Sequence, residues 1–140
     1  MRKVYIISIL LILMNVPTCI AHEHYESSYQ HAWCSIHNGI EEFKNDDSTR
    51  VDCLTTTHAV EFDFADKWAE GIGQALYYKF KTKKQALVVL KIENDSQFVY
   101  FERVKQLAKI YNFEVEYVTP KILNLKNDKC KFIDCKCNKK

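Results

Sequence analysis

The stretch Asp52–Lys67, DCLTTTHAVEFDFADK, decides the fold. From His58 to Phe64 its residues alternate: Val60, Phe62 and Phe64 point one way, Ala59, Glu61 and Asp63 the other. That period of two is the signature of a strand with one face on a core. The threonines before it read as a turn, and Thr49–Leu54 as the partner strand. A two-residue turn at Thr56-Thr57 places Asp52 opposite Glu61 and Arg50 opposite Asp63. Threonine disfavours the positive φ of a tight primed turn, so a four-residue loop, which keeps the same pairing, is expected. Like charges directly opposed, with Cβ atoms about 4.5–5.5 Å apart, are destabilising. Asp63 has a cross-strand partner in Arg50, but Asp52 and Glu61 have only each other. Such a pair shares a proton or binds a cation.

Outward from the hairpin, Glu26 to about Asn38 carries Tyr29, Trp33 and Ile36 at helical spacing and stops at Asn38-Gly39. Ile40–Lys44 reads as a strand, and Asn45-Asp46-Asp47-Ser48 as the turn into Thr49. A helix is predicted from Asp66, its cap, to about Lys81. Gln85–Ile92, QALVVLKI, has the near-continuous apolar character of a strand buried on both faces. Ser96 is the predicted cap of another helix, with Phe101, Val104, Ala108 and Tyr111 on one stripe, and Phe113–Val118 is a last strand. The order is αβββαβαβ, an α/β fold with a central mixed sheet flanked by helices.

The chain has 140 residues, 47% hydrophobic and 27% charged, a balance suited to one globular domain. Arg2 and Lys3 precede an apolar run from Val4 to Val16, with Cys19-Ile20-Ala21 at a cleavage point. Residues 1–21 therefore read as a secretory signal peptide, and the protein as periplasmic or secreted with no membrane segment after cleavage. A retained anchor and a lipidation box at Val16–Cys19 are the alternatives. Cleavage takes Lys+Arg from 20 to 18 against 18 Asp+Glu, so the mature chain is formally neutral. Nucleic-acid binding would then need local patches or bound metal, because the overall charge provides no basic footprint. Residues 22–120 form the expected domain and 121–140 a cysteine- and lysine-rich extension. In an oxidising compartment Cys34, Cys53, Cys130, Cys135 and Cys137 give two disulfides and one thiol, with zinc at the last three as the alternative; the pairing is not legible.

Paired carboxylates suit a hard divalent cation, which takes one or two of them and fills its remaining positions with water and substrate phosphate. Metal-assisted phosphodiester hydrolysis uses that arrangement. On the following helix Lys67, Glu70, Gln74 and Tyr78 recur at three- and four-residue spacing and share a polar face, opposite Trp68, Ile72, Ala75 and Leu76. The alternative is a solvated face. His22 and His24 read as a solvated end, and His58 as a surface histidine or a general base near the acids.

Over roughly residues 26–118, the αβββαβ order, Asp52, Glu61 and the run Gln74-Ala-Leu-Tyr-Tyr78 together resemble the PD-(D/E)XK nuclease superfamily. The glutamine-and-tyrosine helix is similar to its RecB-type branch, and TRVDCLTTTHAVEFDFADKWAEGIGQALYY is similar to a group of small bacterial and phage-type proteins. The resemblance implies a restriction-endonuclease-like core with an added helix and strand. It implies Mg²⁺ or Mn²⁺ held by Asp52, Glu61 and the Phe62 carbonyl, Glu26 as an outer ligand, and Gln74 and Tyr78 orienting the site or touching nucleic acid, most simply DNA. One departure matters: the family's Glu-x-Lys stands here as Glu61-Phe62-Asp63. The missing lysine would activate the attacking water, so Lys67 is the expected substitute, or Asp63 joins the metal. The expected function is an exported metal-dependent nuclease; the alternative is a catalytically inactive nuclease-fold protein that binds nucleic acid or a protein partner.

Overall fold

A computed structural model describes residues 22–125. The expected leader and Cys130, Cys135 and Cys137 lie outside them. Helix α1, Glu26–Ile36, buries Tyr29, Gln30, Trp33 and Cys34 on one stripe and leaves Ile36 exposed. It ends where Asn38 turns left-handed at φ 51°. Strands β1 (Ile40–Lys44), β2 (Arg50–Leu54) and β3 (His58–Phe64) follow as an antiparallel meander. Helix α2 (Trp68–Thr82) returns the chain to β4 (Gln85–Lys91), parallel to β3, and α3 (Phe98–Tyr111) returns it to β5 (Glu114–Val118), parallel to β4. The sheet order is β1-β2-β3-β4-β5. The αβββαβαβ order and the mixed sheet are those predicted. No helix among the described residues is long and apolar enough to cross a membrane.

The strand alternation divides the core. Val60, Phe62 and Phe64 of β3 meet Tyr29 and Trp33 of α1, with Leu87 and Val89 of β4 beside them. On the opposite face Ala86, Val88 and Leu90 pack under Ala75 of α2 and Val104 and Ala108 of α3. Strand β4 is thus buried on both faces, as its apolar run requires. Two crossovers that advance in the same direction put α2 and α3 on one face, because such connections are right-handed.

Several local expectations change. Asp66 does not cap α2; a 3-10 turn, Ala65–Lys67, intervenes, and Lys67 occupies the N-cap position. The cap before α3 is Asn94, reciprocated by Gln97 in a capping box, rather than Ser96. Tyr111, expected on the apolar stripe, is exposed because α3 ends there. Cys34 and Cys53 form a disulfide that ties α1 to β2, with Cα atoms 5.8 Å apart. Gly39 lies against it, since a Cβ there would stand 2.7 Å from the Cys34 sulfur.

Candidate charged site where two strands part

Near the turn the β2–β3 ladder is regular. Cys53 pairs with Val60 and Leu54 with Ala59, the register counted from the sequence. The Thr55 N–H donates to the His58 carbonyl at 2.9 Å, while the His58 and Thr57 amides both donate to Thr55 Oγ1. No threonine of the turn takes a positive φ. Hydrogen-bonded and non-bonded positions alternate in an antiparallel pair, so a continued register would set Asp52 opposite Glu61 at a non-bonded position, but the paired residues end at Cys53 and Val60.

One position further on, regular pairing would give the Phe62 N–H to the Val51 carbonyl. It goes instead to Asp52 Oδ2, at 2.8 Å. A carboxylate has replaced a backbone acceptor, and β2 and β3 part there. The Asp52 carbonyl accepts from Gln30 Nε2 of α1 at 2.7 Å, and the same nitrogen reaches Glu42 Oε1 at 2.8 Å. Glu42 itself is left-handed at φ 53°, which costs a residue with a Cβ about 1–2 kcal/mol. Backbone strain and side chains in place of backbone partners thus centre on Asp52. Irregularities of this kind cluster at functional sites.

Glu61 and Asp63 lie on the α2 side of β3, 0% and 1% exposed. Asp63 sits beneath Gly71, where a Cβ would lie 3.0 Å from Asp63 Oδ2 and 3.2 Å from its Cβ. The helix comes this close because residue 71 carries no side chain. The expected Arg50–Asp63 pair does not form, because the strands have parted before it is reached. Arg50 Nη1 lies 3.5 Å from Glu42 Oε2, with both side chains exposed.

The one buried lysine among the described residues is not the expected one. Lys91, last residue of β4 and paired with Phe64, is 0% exposed. Its Nζ lies 3.1 Å from Glu26 Oε2 and 4.3 Å from the centre of the Phe64 ring. Burial pushes its ammonium below the ordinary lysine range, against the opposing pull of Glu26, Asp63 and Asp52. The sequence does carry a signal: Lys91 is the one charge inside QALVVLKI. Lys67, the expected substitute, is half-exposed at the start of α2.

Tyr78 corrects the assignment of the polar helix face. It is buried against Val51, Leu54 and Ala59, so its ring belongs to the core. Its hydroxyl donates to Gln74 Oε1 at 3.3 Å, and Gln74 Nε2 donates to Glu70 Oε1 at 3.4 Å. Of the predicted polar row, Tyr78, Gln74 and Glu70 are therefore connected. His58 lies at the hairpin tip, bonded to Thr57 Oγ1 and 3.3 Å from Glu114. His22 and His24 are buried rather than solvated. His22 stacks on Phe64, and its Nδ1 lies 3.0 Å from Glu93 Oε2. Glu93 also accepts from the Glu23 amide and the Tyr29 hydroxyl. Burial would raise the Glu93 carboxyl, but these partners together hold it below its ordinary value.

Among the described residues no three His, Cys, Asp or Glu side chains are grouped to hold a metal ion. Asp52 and Glu61 nevertheless supply the one or two hard carboxylates that Mg²⁺ takes from protein when water and phosphate complete its shell. No protein-family model, curated protein or solved structure matches the chain. The fold defines an α/β protein with a five-stranded mixed sheet flanked by helices.

Proposed function

We propose that the chain is an exported nuclease with a restriction-endonuclease-like PD-(D/E)XK core, hydrolysing nucleic-acid phosphodiester bonds with Mg²⁺ or Mn²⁺. The observation that carries this reading is Asp52, whose carboxylate takes the Phe62 amide just past the last paired residues of β2 and β3, next in sequence to Glu61. Asp52 and Glu61 would hold the ion. The Phe62 N–H points toward β2, and in a strand the carbonyl of the same residue points the same way, toward Asp52. A bound ion supplies Lewis acidity and a deprotonated water at neutral pH. Lys91 is a positioning residue, holding Glu26 and offsetting the carboxylates in place of the absent strand lysine. Gln74, fixed between Glu70 and Tyr78, orients the α2 side of the site.

The assay is cleavage of single- and double-stranded DNA and RNA with Mg²⁺ or Mn²⁺ and with chelator. Glu61→Gln is expected to lower cleavage by more than about a hundredfold, beyond what an outer-shell change removes. Equal cleavage by wild type and Glu61→Gln sinks the proposal.

One observation favours a second reading, a catalytically inactive protein on the same scaffold. Glu61, Asp63 and Lys91 are at most 1% exposed, so substrate reaches them only after α2 or residues 22–25 move. Nucleic-acid binding indifferent to chelator, with no cleavage by wild type, establishes that reading.

A further inference from the structure

Tyr77, Phe80 and Lys81 share a face of α2 at i, i+3 and i+4, and Lys84 follows just beyond the end of the helix. That face meets the β1–β2 turn. The Tyr77 hydroxyl donates to Asp47, and Lys81 pairs with Asp46 and Asp47. Beside them a cavity of about 360 Å³ is lined by Lys44, Lys81 and Lys84 over Phe43 and Leu54. Asp46 is the one carboxylate among its lining residues, against three lysines. Next to it Phe80 is 64% exposed and Tyr77 42%, their ring centres 6.4 Å apart. Lys83 Nζ stands 4.5 Å over the Phe80 ring.

We infer that this cavity and the adjoining aromatic pair form a docking surface for single-stranded nucleic acid, with a phosphate received by Lys44, Lys81 and Lys84 and a base stacked on Phe80. The choice of nucleic acid rests on the proposed function; the surface itself rests on charge and shape. Flat rings beside a cationic groove are how proteins hold single strands without regard to sequence. The volume falls in the range of small-ligand sites. An anionic membrane shares the phosphate chemistry, but the large apolar side chains that α2 exposes are both aromatic, with no exposed large aliphatic beside them, whereas interfacial helices bury a broad apolar face. Phe80 lies nine residues beyond Gly71, which covers Asp63. At 1.5 Å and about 100° per residue that is about 14 Å along the helix and half a turn around it, so Phe80 lies on the side of α2 away from Asp63 and this surface is separate from the carboxylate site.

The test measures anisotropy of a fluorescein-labelled short oligothymidylate with the full chain, in chelator so that no cleavage intervenes. Phe80→Ala is expected to weaken binding about tenfold, the loss of one base–aromatic stack. The double variant Lys44→Ala/Lys84→Ala is expected to flatten the dependence of log K on log salt by about 0.7 for each phosphate that the protein no longer neutralises. Phe80 and Lys44 are exposed, whereas Lys84 is half-buried and donates to the Thr56 carbonyl, so circular dichroism checks that both variants fold. Unchanged affinity and salt slope in both variants overturn the inference, as does wild-type binding to phosphatidylglycerol vesicles but not to the oligonucleotide. Because the metal is absent, failure of the nuclease assay leaves this result standing, and failure here leaves the carboxylate site untouched.

Discussion

Two lysines of this protein each meet more than one carboxylate, and their surroundings give them opposite electrostatics. Lys81 joins Asp46 and Asp47 at the β1–β2 turn, where the Asp46 side chain is 82% exposed. Lys91 joins Glu26 near Asp63 and Asp52, in the interior. The hydrogen bond to Asp46 lifts the Lys81 ammonium above the ordinary lysine range, while burial drives Lys91 below it. At the turn the Asp46 carboxylate stays open to water, and its pair with Lys81 adds little to stability. In the interior desolvation outweighs attraction, so the charges remain only if each has a partner.

Removing the buried cation is the harshest way to break this comparison. Lys91→Met leaves buried carboxylates without their cation and is expected to cost about 3–5 kcal/mol in urea unfolding. Adding Glu26→Gln should restore part of the loss, because it removes the charge stranded beside Lys91; no recovery would mean that the two side chains are not coupled. Lys91 also predicts a pH dependence. Between its depressed folded value and the unfolded value near 10.4, the unfolded chain binds a proton that the folded chain has released. Wild-type stability should therefore rise, relative to Lys91→Met, as pH climbs from the depressed folded value toward the unfolded one. A flat difference across that window contradicts the buried assignment.

A smaller effect separates two glycines of one helix. A Cβ at Gly73 would meet nothing within 4 Å, whereas at Gly71 it would press on Asp63. Gly73→Ala should stabilise the protein by about 0.8–1 kcal/mol through helix propensity. Gly71→Ala gains the same amount and gives up about 1–3 kcal/mol to overpacking, so it should fall below Gly73→Ala in thermal unfolding. Equal melting temperatures would mean that α2 does not press on Asp63.

These contrasts also show what the sequence could reveal. Alternation in β3 and the apolar run of β4 are properties of neighbouring residues, so the element order and the Cys53–Val60 and Leu54–Ala59 register are legible in it. The Arg50–Asp63 pair follows from the same register and fails, since nothing local announces that a carboxylate will take a backbone amide and part the strands. Lys91 and Gln30 are visible as a charge and an amide in apolar stripes, yet their partners lie on other elements. His22 and His24 read as solvated because the contacts that bury His22, Phe64 and Glu93, are some forty and seventy residues away. Tyr78 falls on the polar side of a helical projection, but its ring reaches the core beside Val51.

The smallest predicted effect tests the surface member of the comparison. Asp46 and Asp47 are held below the ordinary carboxylate range, Asp46 chiefly by its hydrogen bond to Lys81 and Asp47 chiefly by Thr49. Any stability from the Lys81 pairs is therefore present above the unfolded aspartate value, lost as pH falls through the folded one, and lost again as pH climbs through the raised lysine value. Within that window Lys81→Ala should shift the urea midpoint far less than Lys91→Met. Salt sharpens the contrast: at 1 M the screening length falls to about 3 Å, which quenches exposed pairs and leaves buried ones nearly intact. The Lys81→Ala difference should disappear at 1 M sodium chloride while the Lys91→Met difference persists. If both vanish together, Lys91 is as open to solvent as Lys81, and the interior charge site loses its physical basis.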